Sequence, residues 1–252
     1  MVIFCNRDNT HGCVKILYPS RRVAFNVSDV FVDIGLGKAM GDGVDLVDYL
    51  NYVLFVAKSN PNSRVLAIVP DAWGDYPRNT WLAAEFYLKL RKRQVPSNLT
   101  MLIVVHGGLI DTYWLQYKIL YFNYSRVVTT GFAIPSRKMD LSSEAIDCNR
   151  KPLQCSQSIR AFMGKVRQEL GDVPIHLLGA NKRTLTALGE SLRHVYSFDS
   201  DAYREVPNDE VRRKCLGDGR FMIDENRCSP KMWAQAWLGE LEKYVVAHNE
   251  GN

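Results

Sequence analysis

Three hydrophobic runs in this chain each deliver an aspartate at or just past their C-terminal end. They are Val30-Phe31-Val32-Asp33, Val65-Leu66-Ala67-Ile68-Val69-Pro70-Asp71 and Val195-Tyr196-Ser197-Phe198-Asp199. A fourth run, Met101 to Val105, ends in His106-Gly107-Gly108. Buried parallel strands read as continuous apolar and β-branched runs, and catalytic groups gather where such strands end. Repetition along one chain points to a shared rim. A rim of carboxylates points to acid–base or nucleophilic chemistry.

Each residue also has a plainer reading. Asp33 precedes Gly35 and Gly37, where backbone can approach a ligand closely, yet an aspartate there also caps a strand-to-helix loop. Asp71 sits in Pro70-Asp71-Ala72-Trp73-Gly74-Asp75. A carboxylate beside an indole suits a flat polar ring, while turn chemistry accounts for Pro-Asp and Gly-Asp almost as well. His106 offers a proton carrier or a donor to a carbonyl, or simply a hydrogen-bonded strand-end histidine. His176 lies within an apolar strand and reads as core, or as support for a neighbouring group. No nucleophile elbow or Ser–His–Asp arrangement is present, and the aspartates are scattered too singly to suggest a metal site.

Positioning these groups requires a repeating strand–loop–helix unit. After the Asp33 strand, apolar residues at Val44, Val47, Leu50, Leu54 and Phe55 keep helical spacing to Lys58. Asn79 is the expected cap of a helix to about Arg93, and Asp111 of one through Tyr121. Residues 126–132 and Ile175 to Gly179 read as further strands, with helices at Ser158 to Leu170 and, capped by Asn181, at Thr184 to Leu192. That makes six firm strands, with Val2 to Cys5 a seventh and Arg220 to Ile223 a weak eighth. Alternating elements imply a parallel sheet. Gly35-Leu36-Gly37 lacks the third glycine of a dinucleotide fingerprint, which disfavours an open doubly wound sheet. The expectation is an α/β fold, an irregular (β/α)8 TIM-type barrel. One barrel domain covers 1–252, with an insertion at about 138–157 and a C-terminal helix at about 229–247.

Length and composition agree. The 252 residues suffice for one large core, and 46% hydrophobic with 23% charged residues is ordinary for a globule. A net charge of +5 is mildly basic, and the clusters Arg21-Arg22, Arg91-Lys92-Arg93 and Arg212-Arg213-Lys214 suit phosphate backbones or solvated helix ends equally. No stretch has the length and apolarity of a bilayer span, and no secretion signal is visible, so an intracellular, cytoplasmic protein with no membrane partner is expected. Six cysteines form no CxxC pair. Cys148 with Cys155, or Cys215 with Cys228, would close short loops if oxidised, and the sequence leaves the redox compartment open.

In this order the pieces resemble the tRNA-guanine transglycosylase superfamily, particularly its small DNA-acting members that insert 7-deazaguanines. Asp33-Ile34-Gly35-Leu36-Gly37 is similar to the family's aspartate–serine–glycine–glycine strand end, with Ile34 a departure. Asp71 matches the base-recognising aspartate. Val105-His106-Gly107-Gly108 is similar to valine–glutamine–glycine–glycine, with His106 in place of glutamine. Thr130-Gly131-Phe132-Ala133-Ile134 resembles a glycine-led segment, and His176-Leu177-Leu178-Gly179 the histidine–leucine–leucine–glycine strand. Ser197-Phe198-Asp199-Ser200 resembles the nucleophile segment. The four-ligand zinc motif of the tRNA enzymes is missing after Asp199, as is an appended RNA-binding domain, which tilts the expectation from tRNA toward DNA.

The resemblance implies exchange of guanine for a 7-deazaguanine base through a covalent aspartyl-glycosyl intermediate, without cofactor or metal. Asp199 would be the nucleophile and Asp33 the general acid/base. Asp71, His106, Gly107, Gly108 and Gly131 would bind the base, and Arg137, Lys138, Arg183 and Arg204 the phosphates of a DNA or tRNA strand. Family members often dimerise, and the Trp233 and Trp237 face would be the place for it, although packing of that helix on the barrel serves as well. Two other classes stay open. One is a barrel nucleosidase or glycoside hydrolase in which water replaces the incoming base. The other is a non-catalytic relative that only binds nucleic acid.

Overall fold

The computed structural model describes residues 3–5, 13–35, 44–72, 75–106, 111–136, 138–140, 145–148 and 150–200. In chain order the elements are β1 (Ile3–Cys5), β2 (Cys13–Leu17), β3 (Asp29–Asp33), α1 (Leu46–Ser59), β4 (Arg64–Ile68), α2 (Tyr76–Leu90), β5 (Leu99–Val104) and α3 (Asp111–Ser125). They continue as β6 (Thr129–Pro135), β7 (Lys138–Asp140), β8 (Ala145–Asp147), α4 (Pro152–Leu170), β9 (Ile175–Leu178) and α5 (Lys182–Leu188). A 3-10 turn over Gly189–His194 leads into β10 (Ser197–Asp199).

Eight strands pair in parallel in the order β1-β10-β9-β6-β5-β4-β3-β2, and β1 returns to lie beside β2. The chain thus winds once round a nearly closed TIM-type barrel. Phe31 of β3 stacks on His176 of β9, ring centroids 4.3 Å apart, although three strands separate them in either direction round the wall. Side chains therefore fill the interior, as in a packed barrel core. The barrel is irregular because β2 runs to β3 through a non-helical segment.

Cys13–Leu17 is a barrel strand that the sequence did not announce, and the weak candidate at 220–223 lies outside the described residues. The tail helix expected at 229–247 also lies outside them. Helix α2 begins three residues before the expected cap. Asp75 accepts from Arg78 N at 3.0 Å, and Pro77 is tolerated in the first turn, where its missing N–H is not needed. Asn79 instead accepts from Ala72 N at 3.3 Å and fastens the segment after Asp71. Asp45 caps α1, accepting from Val47 N and Asp48 N, and Asn181 caps α5, accepting from Thr184 N at 2.8 Å.

The insertion is smaller than the sequence suggested. It begins with the antiparallel β7–β8 hairpin, and residues from Pro152 onward already belong to α4, Pro152 sitting where proline suits a first turn. A Cys148–Cys155 disulfide, Cα atoms 5.5 Å apart, fixes the hairpin to that turn. Among the described residues no helix is long and apolar enough to cross a membrane.

Candidate active site

All eight strands run the same way, so their C-terminal ends share one mouth. Alternation decides which side chains reach it. On β2 the inward positions include Lys15, which pairs in register with Phe31 on β3. On β10 they are Ser197 and Asp199, with Ser197 in register with His176. Asp33, at the end of β3, is in register with Leu17.

Lys15 joins the two acids expected to do chemistry. Its Nζ lies 2.8 Å from Asp33 Oδ2 and 2.5 Å from Asp199 Oδ2. These two carboxylate oxygens are therefore no further apart than the two contacts laid end to end, about 5.3 Å. Asp199 is the most enclosed member, with its side chain 3% exposed against 11% for Lys15 and 19% for Asp33. Its other oxygen accepts from Gly179 N at 2.9 Å and from His176 Nε2 at 3.1 Å. On the far side of the ring, His176 Nδ1 is hydrogen-bonded to the Ser197 hydroxyl, 2.7 Å away. Asp33 is held from below by Gly35, whose N–H donates to Oδ1 at 2.9 Å and whose φ of 79° suits glycine.

Charge fixes the protonation states of Asp199 and Lys15. Burial acting alone would raise the Asp199 pKa, but the Lys15 charge and the His176 hydrogen bond outweigh it and hold the carboxyl well below its usual range. Burial would lower the Lys15 pKa, but Asp199 and Asp33 reverse that and hold the ammonium well above its ordinary value. Asp199 is thus a carboxylate and Lys15 a cation at any ordinary pH. A neutral amine for Schiff-base chemistry is not available at Lys15 in this arrangement.

A second pair stands at the neighbouring strand ends. His106 Nε2 lies 2.7 Å from Asp71 Oδ2, with both side chains buried. The backbone of His106 is fastened by Tyr117 of α3, whose hydroxyl accepts from His106 N and donates to its carbonyl. Tyr49 of α1 feels both groups: its phenol is pushed well up by burial first and then by the charges of Asp33 and Asp71. Its hydroxyl donates to Ile68 O at 2.7 Å. Asp71 also lines a cleft of about 450 Å³ between α1 and α2, with Ile34, Pro70, Arg78 and Trp81 among its walls. A larger cleft, about 670 Å³, is lined by Arg160, Arg167, Arg193 and His194 beside the N-terminal ends of β9 and β10. It faces away from the mouth and holds none of these acids.

The other expected site residues divide sharply. Gly131 is the third residue of β6, at the half of the strand away from the mouth, in register with Leu102. A Cβ there would sit 2.3 Å from the Pro174 carbonyl oxygen, so this glycine serves strand packing and not the approach of a base. Arg183 is exposed in the first turn of α5, on the mouth side. Lys138 is placed only as a backbone position in β7. Gly107, Gly108, Arg137, Arg204 and the indole of Trp73 lie outside the described residues. Lys15 was not anticipated from the sequence at all. Among the described residues, no group of three or more His, Cys, Asp or Glu side chains is placed to hold a metal ion.

Fold and site together define a (β/α)8-type barrel with a lysine-bridged pair of carboxylates at its C-terminal mouth. No protein-family model matches the chain, and no curated protein matches it. Among solved structures, 2,3-dimethylmalate lyase, a PEP mutase/isocitrate lyase superfamily member, is similar over 89% of this chain and 86% of that one. The identity is 12% and the TM-score 0.35, a likeness from which nothing about chemistry follows.

Proposed function

We propose that this barrel exchanges a guanine of a nucleic acid, DNA ahead of tRNA, for a 7-deazaguanine base by double displacement at the sugar C1′. The observation that carries the reading is the spacing of Asp33 and Asp199. Double displacement at an anomeric carbon uses carboxyl groups about 5–5.5 Å apart, whereas single displacement by water needs about 6.5–9.5 Å. A limit of about 5.3 Å between the bridged oxygens falls on the side of a covalent intermediate.

In the first step Asp199 Oδ2 bonds to C1′ as the C1′–N9 bond breaks, and Asp33 gives its proton to the departing guanine. In the second step Asp33 takes the N9 proton of the incoming base. N9 bonds to C1′, and the Asp199–C1′ bond breaks. Asp199 suits the nucleophile's part because its carboxyl stays ionised, and Gly179 N and His176 orient the oxygen that does not attack. Asp71, anchored at one oxygen by His106, has no donor among the described residues on the other and can accept from the base's N1–H and amine. A guanine within a duplex must first be extruded, at a cost of a few kcal/mol.

The test is incorporation of labelled guanine into separate DNA and tRNA substrates, with Asp199→Asn in parallel. Label on one polymer and none with the variant supports base exchange and names the substrate. Release of free guanine without incorporation would instead make the barrel a hydrolase, and no turnover together with no guanine binding would leave a nucleic-acid-binding protein.

A further inference from the structure

The mechanism above has Lys15 in its way. The ammonium bonds to the Asp199 oxygen that must attack and to the Asp33 oxygen that must exchange a proton, at 2.5 and 2.8 Å. A sugar carbon in line for attack stands about 3–3.5 Å from its nucleophile, which is the space Lys15 Nζ holds. We propose that the gap between Asp33 and Asp199 is a cation site, occupied by Lys15 between turnovers and surrendered to the substrate sugar. Its ligand class is a protonated amine or a sugar ring carrying positive charge at its anomeric carbon. The sugar as natural occupant rests on the base-exchange reading, while the cation site rests on geometry alone.

Three observations carry this. First, the site is built for one positive charge: two carboxylate oxygens from strands at opposite ends of the described chain converge on a single nitrogen. Second, the occupant is more accessible than the nucleophile it covers, the Lys15 side chain being 11% exposed against 3% for Asp199. A four-carbon stem with rotatable bonds can withdraw toward solvent, whereas Asp199 is held at its other oxygen by Gly179 N and His176. Third, the ring of Phe31 forms part of the same site, its centroid 5.6 Å from Lys15 Nζ, and an aromatic face favours any cation placed there.

The exchange of one cation for another has a chemical consequence. Glycosidic cleavage gathers positive charge on the sugar as the bond breaks. A ground-state sugar is neutral and replaces the ammonium poorly, while the transition state restores the missing charge between the same two oxygens. The site therefore favours the transition state over the substrate, which is what acceleration requires. Lys15 is a positioning residue here. It keeps Asp199 ionised and both acids in place and forms no bond to the sugar.

The experiment compares wild type with Lys15→Met, which keeps most of the stem's bulk and removes the charge. Calorimetric titration with a protonated ribose-like iminosugar should show binding at least about tenfold tighter to the variant than to wild type, because the resident ammonium no longer competes. Methylammonium should bind the variant saturably and wild type not at all. Equal iminosugar affinities would overturn the proposal, as would failure of the iminosugar to bind either protein. Should Lys15→Met not fold, the ammonium resonance of Lys15 in wild type decides. Its protection from exchange should be lost as the iminosugar saturates, and retained protection at saturation overturns the proposal. These are binding measurements. A wild type that binds the iminosugar with release of Lys15 but incorporates no labelled guanine would sink base exchange and leave the cation site standing.

Discussion

His106 Nε2 and Asp71 Oδ2 stand 2.7 Å apart at the ends of neighbouring strands, and this contact sets the orientation of the carboxylate that faces the α1–α2 cleft. A buried carboxylate stripped of its donor loses about 1–3 kcal/mol. His106→Ala should therefore lower stability by about that amount and weaken guanine binding, because Asp71 is free to turn. His106→Gln, which restores a side-chain donor, should recover most of the affinity. Equal guanine affinity in wild type and His106→Ala, measured by calorimetry, would separate His106 from base recognition.

Lys15 and Gly131 show where the sequence is readable and where it is not. The strands ending at Asp33, Asp71 and Asp199 are continuous apolar runs, because both faces of a parallel barrel strand are covered, and hydropathy alone finds them. Cys13-Val14-Lys15-Ile16-Leu17 has a charge at its centre and reads as a surface stretch. Its lysine points inward because the mouth supplies two carboxylates from β3 and β10, and no local pattern announces partners as far as 184 residues away. Gly131 failed for the opposite reason. A glycine in a strand marks a close approach without saying what approaches, and here it is the Pro174 backbone.

Gly131→Ala tests that reassignment. Its Cβ would meet the Pro174 oxygen at 2.3 Å, and backbone cannot swing aside as a flexible side chain can. The expected loss is about 1–3 kcal/mol, visible as a lower denaturant midpoint. Guanine affinity of the folded fraction should be unchanged. A normal midpoint with lost affinity would return Gly131 to the site.

Asp199→Asn should abolish exchange while leaving nucleic-acid binding within about twofold of wild type, since phosphate contacts and base contacts are separate. Its diagnostic is covalent. Wild type incubated with substrate and denatured should carry the strand as an ester on Asp199, and the variant should carry none. An adduct surviving in Asp199→Asn would remove Asp199 from the nucleophile's role and point to another carboxylate at the mouth.

The Lys15 bridge also fixes the shape of stability against pH. The Asp199 carboxyl has its folded pKa depressed, so its contribution is present above the unfolded value, about 3.9, and is lost as pH falls through the lower folded value. The Lys15 ammonium has its folded pKa raised, so its contribution is present below the unfolded value, about 10.4, and is lost as pH rises through the higher folded one. Between about pH 4 and pH 10 neither contribution changes, and the difference in stability between wild type and Lys15→Met should rest on a plateau if the Asp199 carboxyl of the variant stays ionised there. It does not stay so throughout. Without Lys15, the leading opposing force on Asp199 is burial, which raises its pKa. The variant should bind a proton as pH falls toward the acid end of that window, while wild type does not. The stability gap between the two proteins, about 3–5 kcal/mol for a broken buried pair, should accordingly narrow on the acid side and stay level on the alkaline side up to about pH 10. Denaturant midpoints of both proteins across this range measure it. A gap that stays constant through the acid end would mean that Lys15 does not govern the charge on Asp199, and the depressed carboxyl would then have to rest on His176 and Gly179 alone.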